Sequence, residues 1–282
     1  MNSDAAIDTS QLPSFETGRR PTFRMVVRDI SIGLSQWELW GAMAWQDIKQ
    51  RYRSSILGPF WVTISMGVLV LMWSLIFGQI MKVPTSEYLS FLTLGFVVWL
   101  WMSNTMNEST VLFAVAQRYI KQMRQPTTLF IFRLIAKNLI VFAHNFAVYL
   151  IVAIFAGLNP GWTGLLAIPG MILGIVTMFW VSLLFAMFGA RFRDFPQIVH
   201  SIVQVVFYVT PILWRPDLLG GKRQFLIDYN PVYYFIEIVR APLLGHMPPI
   251  GYWKVTILAT FAATLFVFPL FRRFRGRVAY WA

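Results

Sequence analysis

Cysteine is absent from this 282-residue chain, which excludes a disulfide frame and a thiolate metal site. Charge is scarce too. Asp, Glu, Lys and Arg make up only 13% of the residues, against 57% hydrophobic, whereas soluble domains carry about 25% charged residues. A body this large has too little polar side chain to cover a surface facing water, so a bilayer is its natural solvent. A nucleotide-binding loop is also missing. Gly221-Lys222 is the one Gly-Lys pair, with Pro216 where the first glycine of the loop belongs and Arg223 in place of its hydroxyl residue. Nor are there carboxylates at Asp-x-Asp spacing, a His-Glu-x-x-His motif or a Gly-x-Ser-x-Gly elbow. An ion-coupled carrier buries Asp, Glu or His in its helices; the candidates here are Glu108, His144 and His200. A lone histidine in a bundle is more often a packing hydrogen-bonder than a proton relay. The chain thus carries no motor, no catalytic centre and no metal site that its sequence reveals.

What it has in quantity is apolar length. A membrane-crossing helix needs about 20 apolar residues, and the charge-free windows predict six, at about 57–81, 89–115, 138–158, 164–190, 196–214 and 255–271. The turn-rich run Asn159-Pro160-Gly161-Trp162-Thr163-Gly164 divides the long uncharged stretch from Asn138 to Ala190. The net charge of +12 does not point to nucleic acid, because the cations gather at the ends of the apolar runs. With the N-terminus inside, 18 of the 24 Lys and Arg fall on one side, which predicts that both termini are cytoplasmic. Acids and arginines precede the first apolar run, which argues against a cleavable signal.

Residues 1–30 read as a disordered cytoplasmic tail and 31–282 as one membrane domain. Before the first span, Leu34, Trp37, Trp40, Gly41, Ala44 and Ile48 share a helical face opposite Gln36, Glu38, Gln46, Asp47, Lys49 and Gln50. This predicts an amphipathic helix lying in the membrane interface. Between spans five and six, residues 215–254 mix aromatic and aliphatic residues with Asp228, Glu237 and Arg240, and five prolines interrupt them. Short re-entrant or interfacial helices fit, since lipid-exposed irregular backbone is not tolerated. The expected class is therefore an all-α polytopic membrane protein.

Phe, Trp and Tyr make up 17% of the chain. Most suit a membrane-interface belt, but Phe60, Trp61, Tyr208, Trp214, Tyr229, Tyr233, Tyr234 and Phe235 could form a track. Sugar rings stack their C–H faces on aromatic planes, and Tyr and Trp keep a donor for hydroxyls.

Six segments taken in order resemble one family, the ABC-2 polysaccharide exporter permeases, which are the membrane subunits that export O-antigen, capsular polysaccharide and teichoic acid. They are Asp47-Ile-Lys-Gln-Arg-Tyr-Arg-Ser-Ser-Ile-Leu-Gly-Pro-Phe-Trp61, Phe77-Gly78, Tyr119-Ile-Lys-Gln-Met-Arg-Gln-Pro126 and Ala190-Arg-Phe-Arg-Asp-Phe195. Tyr208-Val-Thr-Pro-Ile-Leu-Trp214 and Tyr229-Asn-Pro-Val-Tyr233, with Ile236-Glu-Ile-Val-Arg-Ala-Pro-Leu-Leu-Gly245, complete the set. The resemblance covers about residues 37–278.

It implies a homodimer in the bacterial inner membrane, working with two copies of a separate P-loop ATPase that binds the ATP and magnesium; this chain would bind no cofactor itself. By the same resemblance, segment 117–126 is the coupling helix. Arg118, Tyr119, Lys121, Gln122, Arg124 and Gln125 would meet the ATPase there, with Arg191, Arg193 and Asp194 as a second contact. Arg51, Arg53, Phe60 and Trp61 would mark where an undecaprenyl-pyrophosphate-linked glycan gains access. Tyr208, Trp214, Tyr229, Tyr233, Tyr234, Phe235 and a paired Glu237 and Arg240 would form the channel and its external gate. O-antigen is the first expectation, then capsular polysaccharide or teichoic acid. An ABC-2 lipid or drug permease and a membrane-embedded glycolipid transferase stand as rivals, and a stand-alone secondary carrier ranks behind them.

Overall fold

Apolar stretches become helices here because, without water, backbone N–H and C=O groups must satisfy one another. The computed structural model describes residues 22–53, 55, 58, 60–117, 119–120, 125–216 and 225–281. Among them are helices, turns and no strand. α1 (Phe23–Ser35) and α2 (Trp37–Arg51) lead into α3 (Phe60–Met81), α4 (Thr85–Ser109) and the short α5 (Leu112–Val115). α6 (Thr127–Ala156) is followed by a 3-10 turn (Gly161–Leu166), α7 (Ala167–Arg191) and α8 (Phe195–Val209). The one-turn α9 (Phe225–Asp228) precedes α10 (Pro231–Leu243) and α11 (Ile250–Trp281).

Among the described residues, five helices are long and apolar enough to cross a membrane: α3, α4, α6, α7 with its 3-10 turn, and α11. The fifth expected span is shorter. α8 has 15 residues, about 22 Å of helix, against a hydrocarbon core of about 30 Å. Its end is written in the sequence. Thr210 precedes Pro211, which pushes it out of the helical region, and it takes an extended conformation (ψ 135°).

Two other boundaries moved as well. α4 stops at Ser109 rather than near 115, and α6 begins at Thr127 rather than 138. The charge-free windows had excluded Arg133 and Lys137 from the helix. Both are accommodated in it because acids on other helices pair with them.

The expected tail of residues 1–30 is helical from Phe23 onward; residues 1–21 lie outside the described set. Val26, Asp29 and Gly33 form one buried stripe of α1, and tertiary contact, not local hydrophobicity, holds it. Asp29 accepts from the Thr128 hydroxyl at 2.8 Å and from Arg275 Nε at 2.7 Å. Gly33 lies so close to Thr128 that an added Cβ would stand 2.4 Å from its hydroxyl oxygen. α1 therefore clamps the start of α6 to the end of α11.

These contacts define the two ends of the bundle. At the N-terminal face, α1 and α2 lie on α6, and a core of Val26, Phe113, Phe130, Phe179, Leu183 and Phe271 fills the interior. At the opposite face a larger core surrounds Tyr88, Trp101, Ile212 and Ile236. The chain after α8 climbs along α4 in antiparallel order. Ile212 lies against Gly95, Leu213 accepts from the Tyr88 hydroxyl, and Arg215 pairs with Glu87 at 2.5 Å. α10 starts back inside the bundle, where Asn230 Nδ2 donates to Thr210 Oγ1 at 2.8 Å. It ends where Tyr149 donates to Leu243 O, close to the 3-10 turn.

Candidate functional site

A cavity of about 400 Å³ opens where α2, the end of α4, α5 and the start of α6 converge. Helical spacing supplies its charge. Asp47 and Arg51 sit one turn apart on α2, and Arg133 and Lys137 one turn apart on α6, so each pair projects from one face. Arg133 grips Asp47 with both ends of its fork, Nε to Oδ2 at 2.7 Å and Nη2 to Oδ1 at 2.5 Å. Glu108, in the last turn of α4, takes Lys137 at 2.6 Å and Asn138 Nδ2 at 2.9 Å, and lies 3.7 Å from Arg51. The Arg133–Asp47 pair is only 23% exposed on each side chain, and a two-bond fork is the stronger form of ion pair. Arg51 is more than half exposed, so its longer contact is worth less than about 1 kcal/mol. The apolar wall comes from Val111, Leu112, Val115, Phe130 and Leu134.

The cavity brings together two predicted sites that the sequence treats separately, because Arg51 and Tyr119 both line it. Of the predicted coupling segment, Tyr119 and Gln125 are described, and Arg118, Lys121, Gln122 and Arg124 lie outside the described residues. The second predicted contact occupies the same end of the molecule. Arg191, Arg193 and Asp194 are exposed at the junction of α7 and α8. That junction is held against the α4–α5 break by Gly189, where a Cβ would stand 1.6 Å from Thr110 O. Asp47, Glu108, Arg133 and Lys137 were legible as charges but not as one network; only the fold joins helices that distant in sequence.

The predicted access residues are less concentrated. Arg53 is exposed in the turn after α2. Phe60 and Trp61 are exposed at the start of α3, with Phe60 edge-on to His144 at 5.9 Å. His144 itself bonds Ile140 O one turn back. On α2, Ala44 and Ile48 are buried and Trp40 stacks on Phe132, while Trp37 and Trp45 remain exposed.

The predicted gate residues divide into two groups. Tyr208 and Tyr229 are 66% and 86% exposed, whereas Tyr233, Tyr234 and Phe235 are buried. Tyr233 and Tyr234 pack edge-on to Tyr252 of α11, and Trp214 donates its indole N–H to Tyr208 O at 3.1 Å. These predicted channel rings thus divide between exposed positions and positions packed inside the bundle. Glu237 and Arg240 form an ion pair, and Arg240 is entirely buried. Its guanidinium lies 3.8 Å over the Phe91 ring and donates to Pro211 O at 3.0 Å. That bond satisfies a carbonyl freed where α8 breaks. Gly95 makes room for it, since a Cβ there would stand 3.0 Å from Arg240 Nη1.

Residues 38–244 match the family described as ABC-2 type transporter. The chain belongs to this family. The matched region runs from α2 through α10, so it contains the charge-lined cavity, the broken helix α8 and the buried arginine. Among similar proteins is an O-antigen export system permease protein, RfbA, of Klebsiella pneumoniae. It is 25% identical over 235 residues, covering 83% of this chain and 91% of that protein. RfbA of Myxococcus xanthus is 21% identical over 206 residues, 72% of this chain and 79% of that protein. The daunorubicin resistance permease DrrB1 of Streptomyces coeruleorubidus is 26% identical over 263 residues, 88% and 85% respectively.

Proposed function

We propose that this protein is the permease subunit of an ATP-driven exporter that carries lipid-linked O-antigen polysaccharide across the bacterial inner membrane. The observation that carries the reading is the ion-paired cavity. It fastens the peripheral helix α2 to the two long helices that flank connection 110–126, which is where a motor would push. The O-antigen permease relatives align over most of the chain and supply the substrate class. In this reading two copies assemble with two P-loop ATPases that bind ATP and magnesium, and both termini are cytoplasmic. Segment 195–215 makes the sixth crossing, helical for its first part only, and α9 with α10 forms the re-entrant external gate.

Within that frame, Arg118, Tyr119, Lys121, Gln122, Arg124 and Gln125 engage the ATPase, with Arg191, Arg193 and Asp194 beside them. The undecaprenyl-pyrophosphate end of the glycan approaches Arg51 and Arg53, with Phe60 and Trp61 at the mouth, and cations near the membrane surface attract the anionic group. Closure of the ATPases moves the helices, and the glycan passes Tyr208, Trp214 and Tyr229. Tyr233, Tyr234, Phe235 and the Glu237–Arg240 pair hold the gate.

The test is genetic complementation. A strain deleted for the gene should lose surface O-antigen on immunoblots and regain it with the wild-type chain. Arg51→Glu with Arg53→Glu should not restore it, although dimer assembly persists. Full O-antigen display in the deleted strain would end the reading. The similarity to a daunorubicin resistance permease favours a second reading, a small amphipathic substrate. Uptake of daunorubicin into inverted vesicles, dependent on ATP and on both subunits, would establish it.

A further inference from the structure

α1 presents two exposed faces of opposite character. At helical spacing Phe23, Val27 and Leu34 fall on one stripe, and all three are exposed. Arg24, Ser31 and Ser35 fall on another, also exposed. The buried stripe of Val26, Asp29 and Gly33 lies across the helix from the polar one, so the apolar stripe is a flank between bundle and water. Ile30 borders this flank and packs on the core of the N-terminal face. Met25 is the one large exposed apolar side chain of α1 off the flank, and it is the least exposed of the four.

The neighbouring helix α11 indicates what covers that flank. Ile257, Phe261 and Leu265 follow one another at one-turn spacing along its outer face, and all are exposed. On a helix long and apolar enough to cross a membrane, a stripe of this kind meets hydrocarbon. Phe268 continues the stripe, and the cations of the α11 tail begin one turn beyond it, at the level where lipid gives way to water. Phe23 packs on Phe268, with ring centroids 5.0 Å apart. The apolar flank of α1 therefore starts on the outer stripe of α11, at its water end, and runs toward Trp37, itself exposed at the start of α2. A soluble partner would reach the polar stripe of α1, which faces away from the bundle.

We propose that α1 lies in the headgroup region of the leaflet at the N-terminal face, with Phe23, Val27 and Leu34 inserted among acyl chains. Arg24, Ser31 and Ser35 then stay in water, the division expected of a helix lying in a membrane surface. Asp29 ties the same helix to Thr128 and Arg275. Through α1 the membrane surface is thus linked to the start of α6, immediately after connection 110–126. The placement holds whichever substrate the exporter moves, and it concerns residues that precede the matched region 38–244.

Site-directed spin labelling tests it, because the chain has no cysteine of its own. Val27→Cys, Leu34→Cys and Ser31→Cys are each made in the full-length chain and co-purified with an ATPase subunit freed of cysteine. The complexes are labelled and placed in vesicles of phosphatidylethanolamine and phosphatidylglycerol. Relaxation by oxygen, which concentrates in lipid, is compared with relaxation by a water-soluble nickel chelate. The labels at 27 and 34 should respond more to oxygen, at a depth of about 5–10 Å into the headgroup boundary, and the order should invert at 31. Chelate preference at either 27 or 34 overturns the proposal. Protection from both reagents marks a protein cover, by residues 1–21 or by the ATPase subunit, and overturns it equally. Oxygen preference at all three positions puts the helix wholly inside lipid and is also incompatible with it.

Discussion

Asp29 offers the sharpest test of how this molecule is held together. Its carboxylate is 1% exposed and its partner Arg275 is 11% exposed. Arg275 reaches it through Nε and Nη2, both at 2.7 Å. The Thr128 backbone N–H and hydroxyl donate to the other oxygen at 3.3 and 2.8 Å. Replacing Asp29 with Ala removes every one of these acceptor contacts and strands a guanidinium with almost no access to water. Breaking one side of such a pair costs about 3–5 kcal/mol. At a few degrees per kcal/mol for chains of a few hundred residues, the melting midpoint in detergent should fall by roughly 10 °C. Protease should also cut α1 faster. The double variant Asp29→Leu with Arg275→Met leaves no orphaned charge and should recover at least half the loss, because an apolar pair of similar volume is often as stable as a buried ion pair. A melting midpoint for Asp29→Ala within 2 °C or so of wild type would refute the argument, as would a double variant worse than the sum of its singles.

Four further outcomes follow from the same geometry. Exchanging the fork, Asp47→Arg with Arg133→Asp, should restore part of the export and stability that either single reversal loses, read as a coupling of about 1–2 kcal/mol in a double-mutant cycle. Gly189→Ala drives a methyl into Thr110 O and should cost 3 kcal/mol or more, visible as loss of folded protein in size-exclusion chromatography. Gly41→Ala, where a Cβ meets nothing within 4 Å, should instead raise the melting midpoint slightly through helix propensity, by about 0.5–1 kcal/mol. Arg240→Met should loosen the end of α8, and Arg240→Lys should not rescue it, because lysine has neither the planar face over Phe91 nor the second donor arm. Hydrogen exchange at residues 210–213 would report the loosening.

Several misplacements along the chain share one cause. A window scan prices each charge as though it were alone in lipid, so Arg133 and Lys137 looked like the end of a connection. Their partners, Asp47 and Glu108, lie 86 and 29 residues away in sequence, and a local scan cannot pair them. The same holds for Asp29, which reads as one more acid in a polar tail until Arg275, 246 residues later, closes on it. The buried tyrosines of α10 illustrate the reverse limit. Residue type marked Tyr233 and Tyr234 as sugar-stacking rings, but their packing on Tyr252 depends on where α10 folds back.

The all-helical character, the long apolar helices and the absence of a phosphate-binding loop were all read from the sequence itself, and the break of α8 before Pro211 is equally local although the expected span of 196–214 ran through it. Each is a local property: hydrophobic run length, a proline's clash with the residue before it, a motif present or missing. Which charges meet, which aromatic rings stay exposed, and where cavities open were decided by tertiary structure alone. Those outcomes depend on pairwise distances between remote segments, and burial changes the energy of a charge more than its identity does.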